Sequence, residues 1–254
     1  MMAFKAFVVL TYVVMIAMNF IANTLPLGGQ TTGDISNKYP SLFTPAGFTF
    51  SIWGLIYVLL AVAVWRLIST PSDTFGAAHA LVAWVLIISS IFNVAWLVAW
   101  HHDRIVLSTI VMIALFTTLA IGFTQSPGEW TSIRVALSVY FAWVSVALIA
   151  NVAIMLVALN MPLLGVPASC WLIGVLLIGL GLATVTVLTQ RDMVFGLVFI
   201  WAYVGIFIRH VAPLELNRAY PLVILTLGLA LALLSGVSAL RFALNGFSLF
   251  GRRS

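Results

Sequence analysis

Asn93 stands three residues before Trp96, and Tyr140 stands three residues before Trp143. On a helix that spacing sets each polar group one turn from a large flat ring on the same face. An amide or a phenol beside an indole can hydrogen-bond and stack, but neither is a proton carrier near neutral pH. Apolar walls with a few placed polar groups suit a flat, mostly apolar ligand. Four asparagines, Asn19, Asn23, Asn93 and Asn151, lie in apolar surroundings, and the first two, four apart, share a face. An amide in lipid must find a partner, which can be another helix or a bound ligand. The residues alone leave both uses open.

Other chemistries lack their residues. All six carboxylates (Asp34, Asp73, Asp103, Glu129, Asp192, Glu215) fall between the apolar runs, which counts against a pump that works through carboxylates buried in the membrane. Lys5 and Lys38 are the only lysines and lie outside helix interiors, so a retinal Schiff base has no place to form. His79, His101, His102 and His210 sit at run ends, against a pair of axial haem ligands at mid-membrane. Cys170 is the one cysteine, so neither a disulfide framework nor a thiolate cluster can be built. No metal site and no covalently bound cofactor is expected, and no acid, base or metal constellation calls for an enzyme. Eleven basic residues raise the pI, but they stand singly rather than in a stripe, so nucleic acid is not an expected partner.

The elements that must position these residues are membrane helices. Of 254 residues, 63% are hydrophobic and 7% charged, against about 25% charged in soluble domains. Mean hydropathy is +1.20. A spanning helix takes about 20 apolar residues, and eight such runs occur, at 4–23, 48–68, 77–100, 105–124, 133–159, 168–188, 193–208 and 221–240. Pro71, the Ser126-Pro127-Gly128 run, Pro162, Pro167, the Arg191-Asp192 pair and Pro213 separate them. The first run lacks a small-x-small cleavage site and is expected to be a retained helix. With eight spans, both termini share a side. That side carries seven basic residues (Lys5, Arg66, Arg134, Arg191, Arg241, Arg252, Arg253) and the other carries four (Lys38, Arg104, Arg209, Arg218). The bias predicts cytoplasmic termini and an external first connection. The expected fold is therefore an all-α integral membrane protein.

Residues 44–57 read Thr-Pro-Ala-Gly-Phe-Thr-Phe-Ser-Ile-Trp-Gly-Leu-Ile-Tyr. Pro45, Ile52, Trp53 and Tyr57 resemble the signature that opens the second helix of the translocator protein family, also called tryptophan-rich sensory protein or TspO/MBR. Asn93-Val-Ala-Trp96 is similar to that family's Asn-x-x-Trp, and Tyr140, Trp143, Val144, Ala147 and Asn151 are similar to its fifth-helix pattern. The resemblance covers residues 1–160, a five-helix unit, and 161–254 then reads as a three-helix membrane extension with a short basic tail. Thr44 and Ala46 flank Pro45 where the family has adjacent prolines, and Gly47, Ser51 and Ser89 replace a common aromatic, Pro and Gln. Those positions shape the family's pocket and lid, so the ligand can differ.

The resemblance implies a pocket walled by Trp53, Tyr57, Asn93, Trp96, Tyr140, Trp143 and Asn151. It implies a lid in residues 24–47, with Gly28 and Gly29 permitting movement and Tyr39, Pro40 and Pro45 restricting it. The implied ligand is a porphyrin or other tetrapyrrole, or a sterol-like lipid, and the implied role is a sensor, regulator or carrier in a bacterial inner membrane. Light-dependent porphyrin breakdown through Trp96 or Trp143 is the one chemical step the family suggests. Two other readings predict different partners: a permease for a neutral lipophilic solute, or a subunit of a larger membrane complex. A homodimer is a further expectation from the family. Gly174, Gly179 and Gly181 form a small-residue row suited to close helix approach. The span Val198, Tyr203, Arg209 fits a proposed cholesterol consensus, but that pattern is common in membrane helices.

Overall fold

A computed structural model describes the chain apart from residues 26–28, 31–33, 36–37, 40, 127–130, 162–164 and 252–254, and apart from the side chain of Asn23. Among the described residues, eight long helices follow one another: α1 (Met2–Thr24), α2 (Ile52–Ile68), α3 (Ala77–His101), α4 (Ile105–Gln125), α5 (Thr131–Ala158), α6 (Ala168–Thr189), α7 (Met193–Val211) and α8 (Pro221–Leu244). A short 3-10 helix, Gly47–Ser51, leads into α2. Each of the eight expected runs is a helix, and each is long and apolar enough to cross a membrane. The run expected to start at 48 is 3-10 over its first residues. The shortest expected run extends to Val211, giving 19 residues.

Two compact units make up the chain. The first comprises Met1–Tyr39 and Trp53–Val144, and the second comprises Pro40–Ile52 and Ser145–Ser254. In the first unit, α1 buries Val8, Met15, Asn19 and Ala22, a single stripe on a helix surface, and packs on α3. Helix α3 also pairs with α4 as a hairpin. Asp103 turns the chain between them with φ 57°, a left-handed conformation that aspartate tolerates better than most residues. Gly122 lets the pair close up, because a Cβ there would lie 2.6 Å from Val85 Cγ1. Without a hydrophobic drive inside lipid, such close backbone approach is a main source of helix association. Arg134, 2% exposed, donates to the carbonyl of Phe123 near the end of α4 and lies 4.1 Å from its ring centre. A cation at a helix C-terminus meets the negative end of the macrodipole.

In the second unit, α6, α7 and α8 pack on one another. Asp192 is fully buried and caps α7 by accepting from the Phe195 amide at 3.2 Å. Tyr203 donates to the Leu176 carbonyl at 2.6 Å. Of the small-residue row in α6, Gly179 is the member at a close contact, 2.6 Å from the Tyr203 hydroxyl to an added Cβ. Gly174 and Gly181 have open space around them.

Candidate functional site

Helices α2, α3 and α5 each contribute aromatic side chains to one cluster in the first unit. The indole of Trp53 is its hub. It stacks on Tyr57 one turn along α2 at 5.9 Å and on Trp96 of α3 at 6.3 Å, both at 25°. It meets Tyr140 and Trp143 of α5 edge-on, at 6.2 and 6.3 Å. Trp53 and Tyr57 are half-buried, whereas Trp96, Tyr140 and Trp143 are buried. The i, i+3 and i, i+4 spacings deliver this arrangement, since each puts two side chains of one helix on the same surface.

A chain of polar groups ends on the Tyr140 ring of the cluster. Asn19 Nδ2 donates to Met15 O at 2.9 Å and to Asn93 Oδ1 at 2.7 Å, and Asn93 Nδ2 donates to the Tyr140 hydroxyl at 3.2 Å. The chain joins α1, α3 and α5 and leaves the Tyr140 proton for a further acceptor. Trp96 Nε1 is buried and has no hydrogen-bond partner among the described residues, where an indole N–H normally finds one. The cluster can stack a flat ring system and donate to a neutral acceptor. It presents no charged side chain with which to move protons or hold a cation.

Six of the seven expected pocket residues, Trp53, Tyr57, Asn93, Trp96, Tyr140 and Trp143, thus come together in the first unit. Asn151 is buried on the later half of α5, in the second unit. Trp100, near the end of α3, is 4% exposed and stacks on Trp96 at 5.9 Å. Asn19 was legible as a buried amide. Its link to Asn93 was not, because no spacing rule connects residues on different helices.

The expected lid residues fall in different places. Tyr39 donates from its hydroxyl to Asp103 Oδ1 at 2.9 Å, and Lys38 Nζ pairs with Asp103 Oδ2, all within the first unit. Burial pulls the Asp103 carboxyl upward, but hydrogen bonds from Lys38 and Tyr39 and the ammonium charge outweigh it and hold the group below its ordinary value. The hydrogen bond to Asp103 raises Lys38 in return. Burial, followed by the hydrogen bond to Asp103, raises Tyr39. Pro40 lies outside the described residues. Pro45 is buried in the second unit, within a segment fastened to α7. Arg209 Nη1 donates to Ser41 O and Thr44 O, each at 2.8 Å, the Ala46 amide donates to Gly205 O at 3.1 Å, and Trp201 Nε1 donates to Thr49 O at 2.9 Å. Tyr203 and Arg209 of the cholesterol-type pattern are therefore both engaged within the protein.

Residues 5–240 match the family model described as TSPO-like protein, a match that runs from α1 into α8 and so extends beyond the five-helix stretch in which the sequence motifs lie. No curated protein and no solved structure matches the chain. Eight membrane-length helices and a family match over nearly the whole length make this chain a multi-pass integral membrane protein that belongs to the TSPO-like family.

Proposed function

We propose that the protein binds a flat lipophilic molecule, such as a tetrapyrrole or a sterol-like lipid, at the Trp53 cluster, and acts as a membrane sensor, regulator or carrier. The observation that supports this most is the buried Trp96 N–H without an acceptor among the described residues, set against the half-buried Trp53 ring on which Trp96 stacks. A buried donor left unmade costs about 1–3 kcal/mol. A ligand carrying an acceptor recovers that cost while its flat face replaces ring-on-ring contacts at Trp53. The excess of basic residues on one side of the membrane agrees with cytoplasmic termini in a bacterial inner membrane.

The test is tryptophan-fluorescence quenching of the purified protein titrated with protoporphyrin IX, beside the Trp96→Phe and Trp143→Phe variants. Saturable quenching that weakens in the variants supports the reading. Linear quenching equal in all three proteins means partitioning into detergent and overturns it for this ligand. A parallel titration with a fluorescent sterol separates the two ligand classes.

A further inference from the structure

At the other end of the first unit from Asp103 lies a recess of about 650 Å³ of mixed lining, formed by the last turn of α2 and the residues after it (Arg66, Ser69, Thr70), the first turn of α3 (His79) and the first residues of α5 (Thr131, Ser132, Ile133). We propose that this recess binds a phosphate group, in the first place the headgroup phosphate of a membrane phospholipid.

Its chemistry is that of donors. The Arg66 guanidinium makes no hydrogen bond or ion pair among the described residues, and its planar fork matches phosphate oxygens. The hydroxyls of Ser69, Thr131 and Ser132 also have no partner among the described residues. Thr70 is different, since its hydroxyl donates to Arg66 O at 3.1 Å. His79 Nδ1 accepts from the Gly76 amide at 3.3 Å, which leaves the proton of the neutral ring on Nε2. Lys5 adds a second cation close by. Its ammonium donates to Ile68 O and Thr70 O and so covers the negative end of α2 that would otherwise repel an anion. Of the nearest carboxylates in sequence, Asp73 is exposed with no ion pair among the described residues, and Glu129 lies outside them.

Depth in the membrane selects the source. The recess sits at helix ends, where spanning helices leave the hydrocarbon and meet headgroups. Trp65, next to Arg66, is 66% exposed, as befits an interfacial ring. A guanidinium and three hydroxyls without partners among the described residues face, at that level, lipid phosphates at far higher local concentration than dissolved ones.

The experiment is native mass spectrometry of the full-length, delipidated protein after incubation with phosphatidylglycerol or with diacylglycerol, which lacks the phosphate. Arg66→Gln is compared with Arg104→Gln, an exposed arginine at the opposite helix ends. Expected is retention of phosphatidylglycerol over diacylglycerol by the wild type and by Arg104→Gln, with roughly tenfold weaker retention in Arg66→Gln. Because Arg66 is exposed and its guanidinium bonds nothing among the described residues, the variant should keep the wild-type melting temperature, which excludes misfolding. Competition by millimolar inorganic phosphate would make dissolved phosphate the ligand, and failure to compete would make it the lipid. Either result keeps a phosphate group as what the recess recognises. Equal retention of diacylglycerol, or equal loss in the two arginine variants, would overturn it. A failure here leaves the aromatic site untouched, since the two share no residue.

Discussion

Replacing Gly205 by alanine tests how firmly the second half of the first connection is held. An added Cβ would lie 2.0 Å from Thr49 Oγ1 and 2.9 Å from both Thr49 Cβ and Cγ2, where unstrained carbon contacts sit near 3.5–4.0 Å. Rotating the Thr49 side chain moves Oγ1 away but not its Cβ, so the backbone of residues 46–49 must retreat. That stretches the Ala46 N to Gly205 O bond and the Trp201 to Thr49 O bond. Overpacking of this kind costs about 1–3 kcal/mol, while removing a glycine from a helix interior returns about 0.5–1 kcal/mol. The docked segment is thus expected to loosen by about 1–2 kcal/mol, while α7 itself gains slightly. In hydrogen exchange the Ala46 amide should exchange roughly 5- to 30-fold faster, with the melting temperature nearly unchanged. Thr49→Gly in the same chain removes all three clashing atoms and should restore the protection. Gly174→Ala, with no atom within 4 Å of the added Cβ, is the control and should leave Ala46 as it is. Wild-type protection of Ala46 in Gly205→Ala, or failure of Thr49→Gly to rescue it, would refute the close-approach argument.

Arg209→Gln should also free the segment, because the guanidinium holds two carbonyls; faster proteolysis between residues 41 and 45 is the readout. Asn93→Leu removes the centre of the polar chain from Asn19 to Tyr140 and should destabilise the first unit by about 1 kcal/mol, with equilibrium unfolding in mixed micelles as the measure. Trp96→Phe deletes the unpartnered N–H but keeps a ring, so porphyrin affinity should fall roughly twofold to tenfold, read from quenching isotherms. Asp103 is lowered on folding, so its contribution is present above the ordinary value of 3.8 and is lost as pH falls through the folded value beneath it. Lys38 is raised, so its part is present below 10.5 and is lost as pH climbs through the folded value above that. The Tyr39 hydroxyl is raised too, so its part is present below 10.0 and is lost as pH climbs through the folded value above that; anchoring of Tyr39 should accordingly be flat between 3.8 and 10.0, and Asp103→Asn should abolish the acid limb in a pH series of limited proteolysis.

Helix number and order were legible because the hydrophobic length requirement is read along one dimension. A run of 20 apolar residues in lipid has one way to satisfy its backbone, and each of the eight runs took it. The details that differ are local. Residues 47–51 carry Gly, two Phe, Thr and Ser, poor helix formers that settle into a 3-10 turn. Arg134 reads as a charge at a run end, and it is one, but burial against Phe123 turns it into a cap for the preceding helix.

Which helices meet is a different kind of information, and the candidate site shows where the sequence stops carrying it. Pairs on one helix, Trp53 with Tyr57, Asn93 with Trp96, Tyr140 with Trp143, follow from spacing alone. That Trp53 touches both other pairs depends on three helices converging, and that Asn19 serves Asn93 depends on a fourth. The same limit hid Gly205, whose importance comes from Thr49, 156 positions earlier in the chain. A glycine in α6 with nothing near it and a glycine in α7 against a threonine look alike in sequence, and only the approach distance separates them. Ligand choice depends on packing in the same way. A donor such as Trp96 Nε1 becomes informative once its neighbours among the described residues are known and none accepts, so the acceptor proposed for the ligand rests on the packed cluster, whereas the flat shape was already legible in the spacing.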